Sequence, residues 1–231
     1  MLRLLFVILI TAGCVCGVPR DCQLGAQYLG AAYELDPLGE GYGYDPDPLI
    51  RTDAFDCTTF VETVLANGDV GRLNKIRYAD GIVAFERRNH FIETDWLVNN
   101  AAMLENVSGQ YGRADIRRVL IDKSAWARVV HGIEIQAAPV ATDIEYIPYE
   151  HLEKINTQDV LIALFIVGNS EKHAKIGTDI AVVHMGFVLP GGKVLRHAST
   201  GRGVVDDDFA EYVEMRRKMK GNIGVALVKI K

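Results

Sequence analysis

The chain has 231 residues, 49% of them hydrophobic and 24% charged, with a formal net charge of −5 at pH 7. This composition is typical of one globular domain with a sizeable core, and it argues against a disordered or fibrous protein. Basic and acidic residues are interspersed, so we expect no nucleic-acid partner; the one basic run, 216–218, is assigned to the solvated face of a helix.

Residues 1–17 have the pattern of a secretory signal peptide. Arg3 precedes an apolar run, 4–10, that is too short to span a bilayer as a mature helix. We therefore expect an exported protein of the periplasm or cell envelope, with a signal peptide over 1–17 and a single domain over 18–231.

Residues 11–14 resemble a bacterial lipoprotein cleavage site, although Thr11 stands where leucine is usual. Two alternatives stay open: ordinary cleavage near Gly17, or cleavage before Cys14 with lipidation of that cysteine. A lipid anchor at Cys14 is the only membrane contact that the sequence suggests.

The chain has four cysteines, and two of them, Cys14 and Cys16, lie in or beside the signal peptide. A disulfide between the other two, Cys22 and Cys57, would consume the one thiol at a predicted helix start, so we do not predict a disulfide-stabilised fold. The sequence has no CxxC pair or zinc-finger spacing, so neither a metal nor another cofactor is expected.

Hydrophobic periodicity and turn residues place helices mainly early in the chain and strands mainly late. Helices are predicted over 22–35, 57–65, 70–78, 93–103 and 209–219, the last capped by Asp206 or Asp207; strands over 117–121, 159–167, 179–189, 193–198 and 223–230; a loop over 37–53; and a connection over 138–150. This order favours an α+β fold in which the helix that begins at Cys57 packs on a mainly antiparallel sheet.

The helix that begins at Cys57 has the local sequence of a reactive thiol. Asp56 is a good N-cap, and Phe60, Val61 and Leu65 follow at helical spacing. The helix dipole favours a thiolate at the first position, and such sites lower a cysteine pKa from ~8.5 to ~3.5–7.5. Taken alone, Asp-Cys-Thr more often marks a small buried cysteine at a helix start.

Two histidines later in the chain shift the interpretation of Cys57 from a small buried cysteine toward a catalytic one. His184 lies on the apolar strand over 179–189, and His197 lies on the return strand after a Pro-Gly-Gly-Lys turn. With a side-chain period of two, both rings can point to one side of the hairpin, and Gly186 leaves room for close approach. We predict His184 as the general base and His197 as the residue that orients it. The alternative is that each is a half-buried polar residue satisfied by the backbone.

A resemblance to a known family rests on several motifs. The segments that carry it are 56–62, 76–81, 87–91, 95–100, 184–187 and 195–199. In order, and over nearly all of the mature chain, they resemble the NlpC/p60 papain-like cell-wall hydrolases, and within them the branch described as N-acetylmuramoyl-L-alanine amidase-like. General NlpC-type enzymes usually have Ser-Gly after the cysteine, whereas this chain has Thr58 and Thr59, as the amidase-like branch does.

The resemblance implies a papain-like (NlpC-type) fold and hydrolysis of the amide between N-acetylmuramic acid and L-alanine in peptidoglycan fragments (muropeptides). It makes Cys57 the nucleophile, His184 the general base and acid, and His197 the orienting residue. Two alternatives stay open: an NlpC-type endopeptidase that cuts the stem peptide between D-glutamate and the diamino acid, and a non-catalytic envelope-binding lipoprotein that keeps the fold.

Contacts with the substrate are predicted from side-chain chemistry. The backbone N–H of Cys57 is a natural oxyanion donor, with a tyrosine of the preceding loop as a weaker second one. Arginines can pair with muropeptide carboxylates and Trp96 can cover a sugar or apolar face; alternatively, Arg77 pairs with Asp80 and Trp96 is a core residue. The predicted substrate contacts are Tyr42, Tyr44, Arg77, Tyr78, Asp80, Arg87, Arg88, Trp96, Asn99 and Ser199.

Overall fold

The computed structural model describes residues 23–168 and 175–231. The predicted signal peptide, the predicted anchor site Cys14, and Cys22 lie outside these residues. No helix in the described ranges has both the length and the hydropathy needed to cross a membrane.

The described residues form ten strands and five α-helices. The strands are β1 (Ala32–Tyr33), β2 (Ala54–Phe55), β3 (Leu104–Asn106), β4 (Asp115–Ile121), β5 (Val140–Pro148), β6 (Leu161–Val167), β7 (Val182–Val188), β8 (Val194–Ser199), β9 (Gly203–Asp208) and β10 (Asn222–Ile230). The α-helices are α1 (Cys57–Ala66), α2 (Val70–Arg77), α3 (Leu97–Asn99), α4 (Lys123–Trp126) and α5 (Phe209–Arg217).

Eight strands form one sheet in the order β4, β5, β10, β6, β7, β8, β9, with β3 paired to β10 off this path. The pairings within this sheet are antiparallel. Strands β1 and β2 form a separate parallel pair. The predicted α+β class with a mainly antiparallel sheet is therefore confirmed.

Strand β6 is apolar and buried at every position because both faces of the sheet are covered. Ile162 and Leu164 point into the core that includes α1, whereas Ala163 and Phe165 point into the opposite core beside Phe209 of α5. This alternation is the two-residue period of a strand. The sheet thus separates the cysteine helix α1 from α5.

Helix α1 packs across β7 and β8, the two strands of the predicted histidine hairpin. Phe60 of α1 meets Phe187 of β7 edge to face, with ring centroids 5.9 Å apart. The two strands pair antiparallel, which confirms the predicted hairpin. At Gly186, an added Cβ would lie 2.6 Å from the Cβ of His197 and 2.9 Å from the carbonyl oxygen of Arg196, so this glycine is the point of close approach.

The helix predicted over 22–35 is wrong in its described part. One turn of 3₁₀-helix covers Ala26–Tyr28, and β1 follows. Gly25 and Gly30 have φ values of 71° and 85°, which interrupt a right-handed helix. Gly25 also lies against α1, where an added Cβ would approach Val64 Cγ2 to 2.9 Å.

Two further elements differ from the prediction. The connection predicted over 138–150 is mostly strand β5, whose backbone pairs with β4 along seven residue pairs. The helix predicted over 93–103 is a π-helical turn, Ile92–Trp96, followed by the single turn of α3. In both places long-range packing overrides the local pattern. The predicted loop over 37–53, the helix at α2 and the strands at β4, β6 and β10 are confirmed.

Substitution Gly186→Ala tests the close approach of β7 and β8. We expect it to lower the free energy of unfolding by about 1–3 kcal/mol, because the methyl group forces the strands apart. The measurement is urea denaturation. The control is Gly71→Ala in the exposed first turn of α2, where an added Cβ approaches only the Asp69 side chain, at 3.3 Å, so the free energy of unfolding should change by less than about 1 kcal/mol. Equal, small effects of the two substitutions would contradict the close approach.

Candidate active site

Cys57 occupies the first position of α1 because Asp56 and Thr59 cap the helix reciprocally. Asp56 Oδ1 accepts a hydrogen bond from the Thr59 N–H at 2.7 Å, and Thr59 Oγ1 accepts one from the Asp56 N–H at 3.0 Å. This capping box fixes where the helix begins. Cys57 is a half-buried free thiol, and its backbone N–H is one of the first-turn donors that no helix carbonyl satisfies.

The hairpin brings the two predicted histidine rings into contact. Nε2 of His184 lies 2.7 Å from Nδ1 of His197, so one of these nitrogens donates a hydrogen bond to the other. His197 is fully buried and His184 is half-buried. The other ring nitrogen of His184, Nδ1, is not used in this bond and is the one available to a group in the cavity beside it.

Cys57 and His184 line the same cavity, which has a volume of about 210 Å³. One part of its wall comes from 89–93 and another from Ile180 and 182–185. Among the described residues that line it, none is Lys, Arg or Asp. The thiol, the histidine ring and a largely uncharged space therefore meet at one place.

Asp207 extends the histidine pair to a third group. Its Oδ2 lies 3.0 Å from Nε2 of His197, and both of its carboxylate oxygens accept from Arg202, at 3.0 and 2.6 Å. Sequence reasoning missed this role and offered Asp206 or Asp207 as the cap of α5; the cap is Asp208. Only the register of β9 against β8 brings Asp207 to His197, and no local pattern shows that register.

Aromatic rings enclose the histidine pair. The ring of Tyr212 lies 4.8 Å from that of His197 and 5.8 Å from that of His184, and Phe165 lies 5.7 Å from His184. The guanidinium of Arg216 lies over Phe165 and Tyr212 at 5.2 and 5.8 Å. The hydrogen bond between the two histidines therefore lies against aromatic rings, with one guanidinium on those rings.

These surroundings keep both histidines neutral. Burial lowers the pKa of His184 well below its usual value, and the neighbouring His197 and Arg216 act in the same direction. Burial also lowers the pKa of His197, although the hydrogen bond that His197 donates to Asp207 opposes that shift. The hydrogen bond from Arg202 is the largest cause of the lowered pKa of Asp207, so this carboxyl group is ionised at neutral pH.

The predicted direction of the Cys57 pKa shift is wrong. Burial of the thiol and the adjacent Asp56 carboxylate raise the pKa of Cys57 to about 12, while the backbone of Met185 and the side chain of Thr58 act in the opposite direction. The helix start that favours a thiolate does not outweigh desolvation of the charge. The resting site holds a neutral thiol, so a base must take its proton as the sulfur attacks.

Sequence reasoning also missed Glu93, which is buried in the wall of the same cavity. Its Oε1 accepts from the N–H groups of Ala181 and Val182, both at 2.6 Å, and its Oε2 has no hydrogen-bond partner among the described residues. Burial raises the pKa of this carboxyl group. Glu93 thereby holds the start of β7 beside the thiol.

A second cavity, of about 190 Å³, shares Thr58, Asn89 and His90 with the cysteine cavity. Unlike the first, it is lined by several charged groups, which are Asp36, Asp56, Glu62, Arg77 and Arg88. Among the described residues, the space next to Cys57 therefore has one acidic group, Glu93, on the side of His184 and five carboxylate and guanidinium groups on the side of the 37–53 loop.

Arg88, one of the predicted substrate contacts, is buried in an ion cluster. Its guanidinium donates to both oxygens of Glu40 at 2.8 Å, to Asp45 at 2.5 Å and to Asp36 at 3.3 Å. Burial raises the pKa of Asp36 to about 6 despite this cation. Arg88 thus holds the 37–53 loop at the second cavity. Its hydrogen bonds are made to carboxylates of the protein rather than to a substrate.

The alternative pairing of Arg77 with Asp80 is wrong. Arg77 is buried, its Nε lies 3.1 Å from Glu62, and its Nη2 donates to the carbonyl oxygen of Leu38 at 3.0 Å. Its Nη1 has no hydrogen-bond partner among the described residues. Asp80 instead accepts from Arg87 at 3.1 Å in an exposed pair. Burial raises the pKa of Glu62 to about 7, although Arg77 opposes the shift.

Two predicted substrate contacts are core residues. Tyr78 and Trp96 are fully buried and line neither cavity. The hydroxyl of Tyr78 donates to the carbonyl oxygen of Gly39 at 3.1 Å, which helps to hold the loop. The structure therefore contradicts a substrate contact at both, and for Trp96 the alternative of a core residue is right.

The remaining predicted contacts do not line the cysteine cavity. Tyr42 and Tyr44 are exposed; the Tyr42 hydroxyl donates to the carbonyl oxygen of Val83 at 2.6 Å, and Tyr44 packs edge to face on Phe85. Neither tyrosine is placed as an oxyanion donor at Cys57. Ser199 ends β8 away from both cavities.

Asn99 reaches the cavities only through another residue. Its side-chain N–H donates to Oδ1 of Asn89 at 2.5 Å, and Asn89 in turn donates to the carbonyl oxygen of Ile76 at 2.9 Å. Asn89 lines both cavities.

Over 23–168 and 175–231, His, Cys, Asp and Glu side chains do not form a group of three that could hold a metal ion.

The model of the AmiA-like family, described as N-acetylmuramoyl-L-alanine amidase-like, matches residues 23–221. The chain belongs to this family. A comparison with curated proteins gives no match. The matched range contains the cysteine helix, the histidine hairpin and Asp207, so the whole of the described site lies within the AmiA-like domain.

Solved structures share the fold of this AmiA-like chain at low sequence identity. Protein LPG0564 of Legionella pneumophila has a TM-score of 0.80 at 24% identity, over 92% of this chain and 88% of that one. An N-acetylmuramoyl-L-alanine amidase of Bacteroides uniformis has a TM-score of 0.69 at 23% identity, over 91% and 97% of the two chains. At these identities the likeness concerns the fold alone.

The raised thiol pKa can be tested by alkylation. We expect the rate at which iodoacetamide modifies Cys57 to rise about tenfold per pH unit from pH 7 to pH 9, because the thiolate fraction rises by that factor below the pKa. Peptide mass spectrometry separates Cys57 from the other cysteines. Glutathione is the control and should approach a plateau above about pH 9. A Cys57 rate that is already constant between pH 6 and pH 8 would contradict a neutral resting thiol.

Proposed function

We propose that this AmiA-like protein is a cysteine amidase that hydrolyses the N-acetylmuramoyl-L-alanine amide bond of muropeptides. The observation that carries the proposal is the common cavity of Cys57 and His184, with His184 hydrogen-bonded to His197 at 2.7 Å. The family supplies the reaction class, and the pair of side chains supplies a nucleophile and a base.

In the proposed acylation step, Cys57 Sγ attacks the amide carbonyl carbon while its proton passes to Nδ1 of His184. This order follows from the neutral resting thiol, since the charge on sulfur then develops only as the bond forms. The backbone N–H of Cys57 is the proposed donor to the carbonyl oxygen, and loss of such a donor typically costs ~10²–10³ in rate. His184 returns the proton to the amide nitrogen, the carbon–nitrogen bond breaks, and the amine leaves.

In the proposed second step, water hydrolyses the thioester. His184 Nδ1 takes a proton from the water as its oxygen attacks the acyl carbon, and the proton returns to Cys57 Sγ as the carbon–sulfur bond breaks. The products are a carboxylic acid and a regenerated thiol. Every proton that His184 accepts is returned to a product or to Cys57 within the cycle. The histidine pair therefore needs no exchange of protons with solvent.

The two cavities support a substrate with distinct uncharged and charged parts. The cysteine cavity suits the lactyl and alanyl groups around the scissile amide, because no cationic side chain of the described residues lines it. A muropeptide also carries carboxylates farther along its stem. Arg77, which lines the charged cavity and has one nitrogen without a partner among the described residues, is the group that we propose for a stem carboxylate.

We also propose that the fold is the papain-like, NlpC-type arrangement. The cysteine at the start of a helix packed on an antiparallel sheet, with the base on a neighbouring strand, supports this assignment. The departure at Thr58 and Thr59 from the Ser-Gly of general NlpC-type enzymes supports the amidase branch over the stem-peptide endopeptidase.

A defined muropeptide, N-acetylmuramoyl-tripeptide, tests the reaction and the bond. We expect mass spectrometry of the products to show a free peptide that begins with L-alanine and free N-acetylmuramic acid. Release of an intact N-acetylmuramoyl dipeptide would show the endopeptidase instead. Binding without any product would support the non-catalytic alternative.

Variants test the assigned residues in the same assay. We expect Cys57→Ala to abolish turnover and His184→Gln to lower kcat by roughly 10²–10⁴-fold, because proton transfer is lost. His131→Gln is the histidine control: its ring packs on Trp126 outside the cysteine cavity, and kcat should stay within about twofold. Full activity of Cys57→Ala would overturn the cysteine mechanism.

We further propose export to the periplasm or cell envelope, on the strength of residues 1–17. In the native host we expect a mature chain that begins near Val18 or, where a lipid is attached, at Cys14. N-terminal sequencing and labelling with a fatty-acid analogue separate the two. A cellular protein that retains Met1 would contradict export.

A further inference from the structure

We propose that Asp207, held by Arg202, is the positioning residue that sets the proton on each nitrogen of the His184–His197 pair. This inference rests on the proposed cysteine mechanism and adds to it a residue that neither touches substrate nor lines the cysteine cavity. The proposed relay consists of four side chains, Cys57, His184, His197 and Asp207. Asp207, the member farthest from the thiol, determines which nitrogen of each histidine carries the proton.

The direction of the first hydrogen bond follows from the chemistry of the carboxylate. Ionised Asp207 has acceptors only, so Nε2 of His197, 3.0 Å from Oδ2, must carry the proton and donate it. Neutral imidazole has one N–H, which leaves Nδ1 of His197 as an acceptor. His197 is neutral at pH 7 because burial lowers its pKa.

The second bond then has only one possible direction. Nδ1 of His197 accepts, so Nε2 of His184, at 2.7 Å, must be the donor. Neutral His184 has its single proton on Nε2, and its Nδ1 keeps a lone pair. That lone pair is what the Cys57 proton requires. Asp207 thereby selects the basic tautomer of His184 across two rings.

Arg202 fixes the orientation of the Asp207 carboxylate. Its Nη1 and Nη2 donate to Oδ2 and Oδ1 of Asp207 at 3.0 and 2.6 Å, a two-point contact that fixes the plane of the group. Oδ2 is shared between Arg202 and His197, whereas Oδ1 is used by Arg202. The guanidinium is half exposed, so it lies at the outer edge of the relay.

The arrangement gives a specific result for Asp207→Asn. Arg202 has donors only, so it claims the single amide oxygen and turns the amide nitrogen toward His197. A donor facing Nε2 of His197 reverses both hydrogen bonds and places the proton of His184 on Nδ1, where the base is needed. We expect kcat to fall by roughly 10²–10⁴-fold, as for loss of general-base catalysis, with KM changed by less than about threefold.

A second substitution should restore part of the activity. In the double variant Asp207→Asn with Arg202→Met, no cation claims the amide oxygen, so the side chain can turn that oxygen to His197 and recover the original proton positions. We expect kcat of the double variant to exceed that of Asp207→Asn by at least about tenfold, although two residues are changed. Arg202→Met alone should lower kcat by less than about tenfold, because Asp207 still accepts from His197.

The neighbouring Asp206 is the matched control. It lies on the same strand and accepts two hydrogen bonds from an arginine, Arg196, at 2.7 Å each, but it has no hydrogen bond to a histidine among the described residues. Asp206→Asn should cost stability comparable with Asp207→Asn while kcat stays within about twofold. Thermal denaturation of all four variants separates loss of fold from loss of proton placement.

Nitrogen-15 NMR of histidine-labelled protein reads the tautomers directly. In the parent we expect His184 and His197 each to be protonated on Nε2, and in Asp207→Asn each on Nδ1, with the parent pattern returning in the double variant. An unchanged tautomer in Asp207→Asn, or a double variant no more active than Asp207→Asn, would overturn the proposal. If the unsubstituted protein does not hydrolyse the muramoyl amide, the proposed function is wrong. The tautomer pattern tests the role of Asp207 independently of that result.

Discussion

The close approach of β7 and β8 is the constraint on which the site depends. Gly186 allows the strands to come together because a side chain there would collide with His197 and the backbone of Arg196. This approach places the two imidazoles in hydrogen-bonding contact, and α1 packs over the same strands so that Cys57 and His184 line one cavity. A helix start and a hairpin, each ordinary alone, become one site through this packing.

The distribution of charge around the thiol follows from the same packing. Aromatic rings on one face of β6 and on α5 pack against the histidines, and burial lowers the pKa of both rings, so both are neutral at pH 7. On the other side, Arg88 gathers three carboxylates and closes the 37–53 loop. The thiol thus lies between the histidine pair and the charged second cavity, and burial outweighs the helix dipole in setting its pKa.

The sequence predicts what depends on neighbouring residues. Asp56 before Cys57 is a local helix signal, and the two-residue period of β7 and β8 places both histidines on one side. Asp207 could not be found in this way, because its contact with His197 depends on the register of β8 against β9. The partners of Arg88 are equally distant, with Glu40 lying 48 residues earlier in the chain. The thiol pKa failed as a prediction because burial is a property of the folded state alone.

The order of the site along the chain has a consequence for synthesis. Cys57 leaves the ribosome long before His184 and His197, and the strand that carries Asp207 follows later still. Helix α1 can form early, but its thiol then has neither a base nor a cavity. Because β7, β8 and β9 must be paired before Asp207 reaches His197, an amino-terminal fragment that ends before β9 lacks the complete site. Assembly of the site therefore has to await synthesis and pairing of β9.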